Sequence, residues 1–239
     1  MLQKAGPTPV RRARDLAARR ATPAAFTRLD ASALLDLAER LDGAPVPGVT
    51  LTEAQFAAWC PEAVRAEWVD GRVYLMSPSN VEHDELTVWF IRLLGEFVES
   101  HDLGSIFQNV FVRLAAQRRR RVPDLLFIAK DRADVIRPTY LDGAPDLIIE
   151  IVSPDSQSRD RREKYLDYEK AGVREYWIVD PLSKTVEVSR LDRKAFRKID
   201  EVDGVIHSTV LKGFRLKTAQ LWARPLPKVA SVLRWINRK

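Results

Sequence analysis

Two carboxylates stand in this sequence where carboxylates are costly. Glu150 interrupts the apolar run from Leu147 to Val152. Side chains of an extended strand alternate, so Ile148, Glu150 and Val152 share one face. An ionised carboxylate buried there needs a metal, a cationic partner or a proton. Asp124 follows Pro123 at the mouth of a second apolar run, VPDLLFIAK. If the two strands are neighbours, both acids converge on one point, and hard oxygen donors of this kind suit Mg²⁺ or Mn²⁺. A cation follows in SRDRREKYLDYEKAG, which reads as a helix with Lys170 in its last turn and Gly172 at its end. Asp160, Lys164 and Tyr168 fall at i, i+4 and i+8 along one face of it. A strand-to-helix crossover can lay that face over the C-terminal end of the Glu150 strand, where an ammonium would neutralise the acids and orient a water.

Each of these residues also has a plainer reading. A Glu150–Lys164 salt bridge satisfies the same burial argument with no metal. Asp124 can be an exposed or capping acid at a strand edge. Lys164 can be a solvated residue of an Arg-rich helix, and Tyr168 a core ring with a hydrogen-bonded tip.

The flanking elements must bring these side chains together. AEWVDGRVYLMSP predicts a hairpin turning at Asp70-Gly71. HDELTVWFIRLLGEFVES carries Leu86, Phe90, Leu93, Leu94 and Phe97 on one helical stripe, with Asn80 placed to cap it. SIFQNVFVRLA alternates as one strand, with Ile106, Gln108, Val110 and Val112 on one side. VPDLLFIAK and DLIIEIVSP read as central strands buried on both faces. REYWIVDP is a fourth strand, and TVEVSRLDR with KAFRKIDEVDG a further hairpin. A short strand near Val210 and a terminal helix complete the order. This succession predicts an α/β fold, a mixed central β-sheet flanked by helices.

The chain has 239 residues, 46% hydrophobic and 30% charged, which suits one globular domain plus an extension. No apolar run approaches the ~20 residues of a membrane span, and the start has no secretory apolar segment. Cys60 is alone, so an internal disulfide and a zinc cluster are both excluded, in keeping with a reducing, cytoplasmic setting. Residues 1–48 read as a basic, flexible extension containing the short helix DASALLDLAERLDG, which Asp30 or Ser32 can cap and Gly43 can end. PVPG at 45–48 reads as a linker. The compact domain is expected over 49–239, opening with a short helix after Thr52 that carries Phe56 and Trp59.

The net charge of +6 favours a polyanionic partner, nucleic acid above all. In QRRRR, Arg118, Arg119, Arg120 and Arg121 are candidates for DNA backbone phosphates, with Arg159, Arg161 and Arg162 as a basic rim. The plainer reading of the run is a solvated turn. No helix-turn-helix or zinc finger is present to read bases. Phosphate-loop glycines, a nucleophile elbow and paired metal-ligand histidines are also missing.

VPDLLF, then PDLIIEIVSPDSQSRDRREKYLDYEKAGVREYWIVDP, with EWVDGRVYLMSPSNVEHDELTVWFIRLL upstream, resembles the Uma2 (DUF820) family over about residues 50–215. The resemblance implies a restriction-endonuclease-like fold of the PD-(D/E)XK kind. It implies that Asp124 and Glu150 bind Mg²⁺ or Mn²⁺, with a backbone carbonyl near Ile151 completing the shell. Val152 holds the strand position where a lysine is usual, and the resemblance supplies Lys164 from the following helix instead. Glu67 resembles the upstream acid of such sites, and His83 a histidine common near the start of the family's long helix. The implied activity is metal-dependent hydrolysis of DNA phosphodiester bonds. Val152 keeps open a second expectation, a nuclease-fold DNA-binding or accessory protein that does not cut. A homodimer would let two sites meet two strands.

Overall fold

The computed structural model describes residues 22–41, 43–61, 64–152 and 158–238, the last of these without the side chains of 158–161. Helices α1 (Pro23–Phe26) and α2 (Ala31–Leu41) lead into strand β1 (Pro45–Thr50) and helix α3 (Glu53–Trp59). The hairpin β2 (Ala66–Val69) and β3 (Arg72–Leu75) precedes the long helix α4 (Val81–Ser100). Strands β4 (Gly104–Gln108), β5 (Phe111–Leu114), β6 (Arg119–Arg121), β7 (Leu125–Ala129), β8 (Tyr140–Asp142) and β9 (Leu147–Ile151) follow. Helix α5 (Ser158–Ala171) crosses to β10 (Glu175–Asp180), β11 (Thr185–Asp192) and β12 (Ala195–Ile199). The chain closes through β13 (Val205–His207), β14 (Arg215–Lys217) and α6 (Val229–Ile236).

The local signals explain most of these ends. Asn80 Oδ1 accepts from His83 N at 2.9 Å and starts α4. Thr52 and Gln55 form a capping box at α3, and Asp30 Oδ1 accepts from Ala33 N at the head of α2. Asp70 and Gly71 both take positive φ, 52° and 91°, as the tightest hairpin turn requires. Gly172, at φ 87°, donates to the Tyr168 and Glu169 carbonyls and stops α5.

The described strands form two mixed six-stranded sheets, not one. The first runs β1-β3-β2-β6-β5-β8 and the second β12-β11-β10-β9-β7-β4, with β13-β14 as a separate pair. The division comes from two interruptions in one antiparallel ribbon. Asn109 adopts the left-handed conformation (φ 54°), one of the few non-glycine residues that does so cheaply. It splits SIFQNVFVRLA into β4 and β5, so the alternation expected from Ile106 through Val112 does not continue. Opposite it, Pro123 offers no N–H to a ladder. β5 pairs with β6 in the first sheet, while β4 pairs with β7 in the second. Asp124 therefore stands where the chain passes from one sheet to the other.

The second sheet separates two cores. Leu125, Phe127, Leu147, Ile149 and Ile151 face α4 and α6. Leu126, Ile128 and Ile148 face the other way, with Tyr168 of α5 and Tyr176. The α4 stripe of Leu86, Phe90, Leu93, Leu94 and Phe97 is fully buried. A third core lies on the first sheet, where Phe26, Leu34 and Leu37 pack with Val46, Val49, Phe56 and Trp68.

That third core corrects the linker expected at 45–48. PVPG belongs to β1, and the expected boundary between 48 and 49 falls inside the strand. Val46 and Val49 are buried, and β1 pairs with β3 through an irregular register, Pro45 with Tyr74 and Thr50 with Arg72. An edge strand with a bulge is where proline and glycine are tolerated in a sheet. The short strand expected near Val210 is also displaced. The N–H of Val210 is taken by the Glu175 and Ser208 side chains, and pairing resumes at β14. Residues 1–21, including most of the basic extension, lie outside the described residues.

Candidate active site

Strand parity aims the site. Ala66 and Trp68 of the β2 segment enter the core on the first sheet, so Arg65 and Glu67 turn the opposite way. On β9, Ile149 and Ile151 face α4, which leaves Glu150 on the α5 side with Ile148 and Val152. Asp124 shares that side with Leu126 and Ile128 of β7. β7 and β9 are antiparallel neighbours, Leu125 opposite Ile149, so the two acids come close without any loop to position them. Lys164 and Tyr168 descend from α5, and His83 from the first turn of α4. Arg65, Glu67, His83, Asp124, Glu150 and Lys164 wall one cleft of about 120 Å³.

Asp124 is surrounded by donors. Its Oδ1 accepts from Arg65 Nη2 at 3.2 Å. Its Oδ2 accepts from the Ile151 N–H at 2.9 Å and lies 3.1 Å from His83 Nε2. Burial opposes its charge, but the His83 hydrogen bond, the charges of His83 and Arg65 and the Ile151 N–H outweigh that and hold its pKa at about 2. His83 is drawn toward its charged form by the same pairing, against its own burial.

Glu150 has partners too, but a different balance. Its Oε1 accepts from Tyr168 OH at 2.8 Å and lies 3.2 Å from Lys164 Nζ, which reaches Oε2 at 3.3 Å. Burial raises its pKa; Lys164 pulls it down, the charges of Asp124 and Glu67 push it up, and the outcome is about 7. Tyr168, fully buried beside Glu150, is pushed well above the ordinary phenol range and stays a donor.

Behind the cleft lies an internal ion-pair network. Glu67 Oε2 accepts from Arg121 Nη1 at 2.7 Å, its Oε1 accepts from Val122 N at 3.1 Å, and Lys164 Nζ is 3.6 Å from Oε1. Burial disfavours the Glu67 charge, yet Lys164 and Arg121 carry its pKa below the ordinary value. Arg121 also donates to Asp167 Oδ2 from Nε and Nη2, at 3.1 and 2.6 Å.

This network corrects the expected role of Arg121 and engages its neighbours in the run to different degrees. Arg121 is 1% exposed and cannot reach a DNA backbone. Arg119 Nε bonds Asp167, and Arg120 Nε bonds Glu53 at 2.9 Å while its guanidinium lies over the Tyr140 ring. Arg118 is largely exposed and pairs with Asp70 at 3.1 Å. Arg119–Arg121 are strand β6 inside the first sheet, and their alternating side chains meet carboxylates on both faces, while Arg118 precedes the strand in the left-handed conformation. The side chains of Asp160, Arg159 and Arg161 lie outside the described residues, and Arg162 is exposed. Ile151 contributes its N–H to Asp124.

Arg65 and Asp167 were missed by sequence reasoning. Parity with Glu67 two residues on was the available signal for Arg65. Asp167 lies between Lys164 and Tyr168 on the inner side of α5, but only its meeting with Arg121 shows its use.

Among the described residues no three His, Cys, Asp or Glu side chains are grouped as a ready metal cage. Of the three carboxylates on the cleft, Glu67 is held by Arg121 and the Val122 N–H, which leaves Asp124 and Glu150 as donors, and that pair fits Mg²⁺, which keeps most of its waters and takes one or two carboxylates from a protein. The Glu150 carboxyl, destabilised as an anion by burial and then by its acidic neighbours, is the kind of group that a divalent cation relieves.

A family model, Uma2, described as "Putative restriction endonuclease", matches residues 53–219. Among solved structures, a crystal structure of "a putative nuclease belonging to DUF820" from Anabaena variabilis ATCC 29413 superposes with a TM-score of 0.61. It is 20% identical, and the match covers 72% of this chain and 97% of that one. No curated protein matches.

Proposed function

This chain belongs to the Uma2 family, with a restriction-endonuclease-like fold, and on that premise we propose that it is a Mg²⁺-dependent endonuclease hydrolysing DNA phosphodiester bonds. The observation that carries the reading is the convergence of Glu67, Asp124, Glu150 and Lys164 on one cleft from separate elements. Asp124 and Glu150 would hold the cation. When bound, Mg²⁺ supplies an acidified water and positive charge for the phosphate. Asp124 is the permanent anion of the pair, because His83, Arg65 and the Ile151 N–H keep it ionised. Glu150, between Lys164 Nζ and Tyr168 OH, keeps its proton up to about pH 7 on its own and would give it up on taking the cation. Arg121 and Asp167 hold Glu67 and the α5 face in register. The excess of positive charge over the chain supports a polyanionic substrate.

One observation favours a second reading, a DNA-binding protein that does not cut. Asp124 and Glu150 are each fully partnered by protein groups without a cation, and Val152 packs in the apolar core where a strand lysine would stand. Nicking of supercoiled plasmid separates the two. The wild type is expected to nick with Mg²⁺ or Mn²⁺ and not in EDTA. Asp124→Asn is expected to lose about 100-fold or more while remaining folded. Plasmid binding with no nicking under any divalent cation would establish the second reading.

A further inference from the structure

The cleft holds more cationic groups than the chemistry above uses, and they are not equally available. Lys164 Nζ sits among Glu150 Oε1, Glu150 Oε2 and Glu67 Oε1 at 3.2, 3.3 and 3.6 Å, with its side chain 6% exposed. Its charge is spent on holding carboxylates. Arg121 lies deeper still, with bonds to Glu67 and Asp167. Arg65 differs. Its side chain is 28% exposed, and it is the one arginine on the cleft wall among the described residues.

The guanidinium of Arg65 is also only partly engaged. Nη2 makes single contacts, 3.2 Å to Asp124 Oδ1 and 3.4 Å to the Val122 carbonyl. Nε is buried and donates to no protein atom among the described residues. Nε and Nη2 share one edge of the planar group, the edge that grips two oxygens of a phosphate at once. Here half of that edge rests on a carboxylate that already has His83 and the Ile151 N–H, and the other half is idle. A buried donor with no partner disfavours the resting arrangement. The Arg65 backbone, by contrast, is anchored: its carbonyl accepts from Met76 N at 2.9 Å. A side-chain rotation alone would transfer the fork from Asp124 to a group seated in the cleft.

We propose that Arg65 is the residue that grips a non-bridging oxygen of the scissile phosphate, while Lys164 serves the carboxylates. The assignment rests on the DNA-cleaving reading above and names the contact that the substrate makes there.

The test compares wild type with Arg65→Met and Arg65→Lys. A short fluorescein-labelled DNA duplex is titrated by anisotropy in EDTA over a range of salt, Mn²⁺ binding is measured without DNA, and plasmid nicking is followed with Mg²⁺. Losing one phosphate contact lowers the slope of log K against log salt by about one in Arg65→Met. Arg65→Lys keeps the charge and so the slope. Both lose nicking rate, Arg65→Met by about 100-fold, because the lysine lacks the fork. Mn²⁺ binding stays the same or tightens, since Asp124 loses a competitor. An unchanged slope in Arg65→Met with weakened Mn²⁺ binding overturns the proposal and makes Arg65 a support for Asp124; the wild type still cuts in that case. A wild type that binds no duplex removes the nuclease reading and this contact together. A collapsed Arg65→Met is bypassed by Arg65→Lys, where full nicking also overturns the proposal.

Discussion

On one side of the cleft, Asp124 lies under His83, Arg65 and the Ile151 N–H. On the other, Glu150 lies against Lys164 and Tyr168 but in the field of Asp124 and Glu67. Both carboxyls are withdrawn from water, and burial alone would raise both. Yet Asp124 is held at about 2 and Glu150 is pushed to about 7. The difference comes from neighbours, not depth. Asp124 has two cationic partners and a backbone N–H of its own that outweigh its burial, whereas Lys164 is shared between Glu150 and Glu67. Two carboxyls forced apart in this way leave Asp124 ionised throughout the neutral range and Glu150 protonated up to about pH 7.

The comparison breaks most severely if the network behind it is removed. Arg121→Met leaves buried Glu67 with no guanidinium and Asp167 with that of Arg119 alone, and is expected to cost about 3–5 kcal/mol in denaturant unfolding. A loss under about 1 kcal/mol would mean that the acids find other partners, and the contrast across the cleft would need another origin.

A sharper test targets Glu150 directly. Its folded pKa of about 7 lies above the ordinary 4.5, so the protonated form is the one that folding favours. Stability is fully present below about pH 4.5 and is lost as pH rises through 7, by about 3 kcal/mol in all. Glu150→Gln should therefore stabilise the protein at pH 8 by an amount of that order and change little at pH 4.5. Mg²⁺ should raise the wild-type unfolding midpoint at pH 8 and leave that of Glu150→Gln unmoved. Equal effects of the substitution at both pH values would contradict the raised pKa.

Asp124 supplies the smallest effect, with the opposite sign. Its folded pKa of about 2 lies below the ordinary 3.8, so its contribution is present above 3.8 and lost as pH falls through about 2. The wild type should lose about 2 kcal/mol across that window. His83→Gln, which removes the leading stabilising partner of the charge, should shrink the loss. Identical acid-unfolding curves for the two proteins would detach His83 from the Asp124 charge.

The parts of the site that were legible in the sequence are those carried by local periodicity. The parity of β9 put Glu150 on one face with Val152, and helical spacing put Lys164 and Tyr168 on another, and the structure joins these two faces at 2.8 to 3.3 Å. The α4 stripe, the Asn80 cap and the Asp70-Gly71 turn were readable for the same reason. QRRRR was not. A run of arginines looks the same whether water or carboxylates surround it, and the carboxylates that bind Arg121 lie 54 and 46 residues away. The proline-rich β1 read as a linker because edge position, which makes Pro47 and Gly48 acceptable, is a property of the sheet.

By itself the sequence determined most of the elements, their faces and the acids whose burial demanded an answer, because backbone periodicity and side-chain hydrophobicity act within a few residues. Tertiary structure decided how the strands divide at Asn109 and Pro123, which cations reach which acids, and that Arg65 faces the cleft while Arg121 is sealed behind it. Those outcomes depend on charges brought together across the fold, and electrostatic energy in a low-dielectric interior is set by distances that sequence order does not encode.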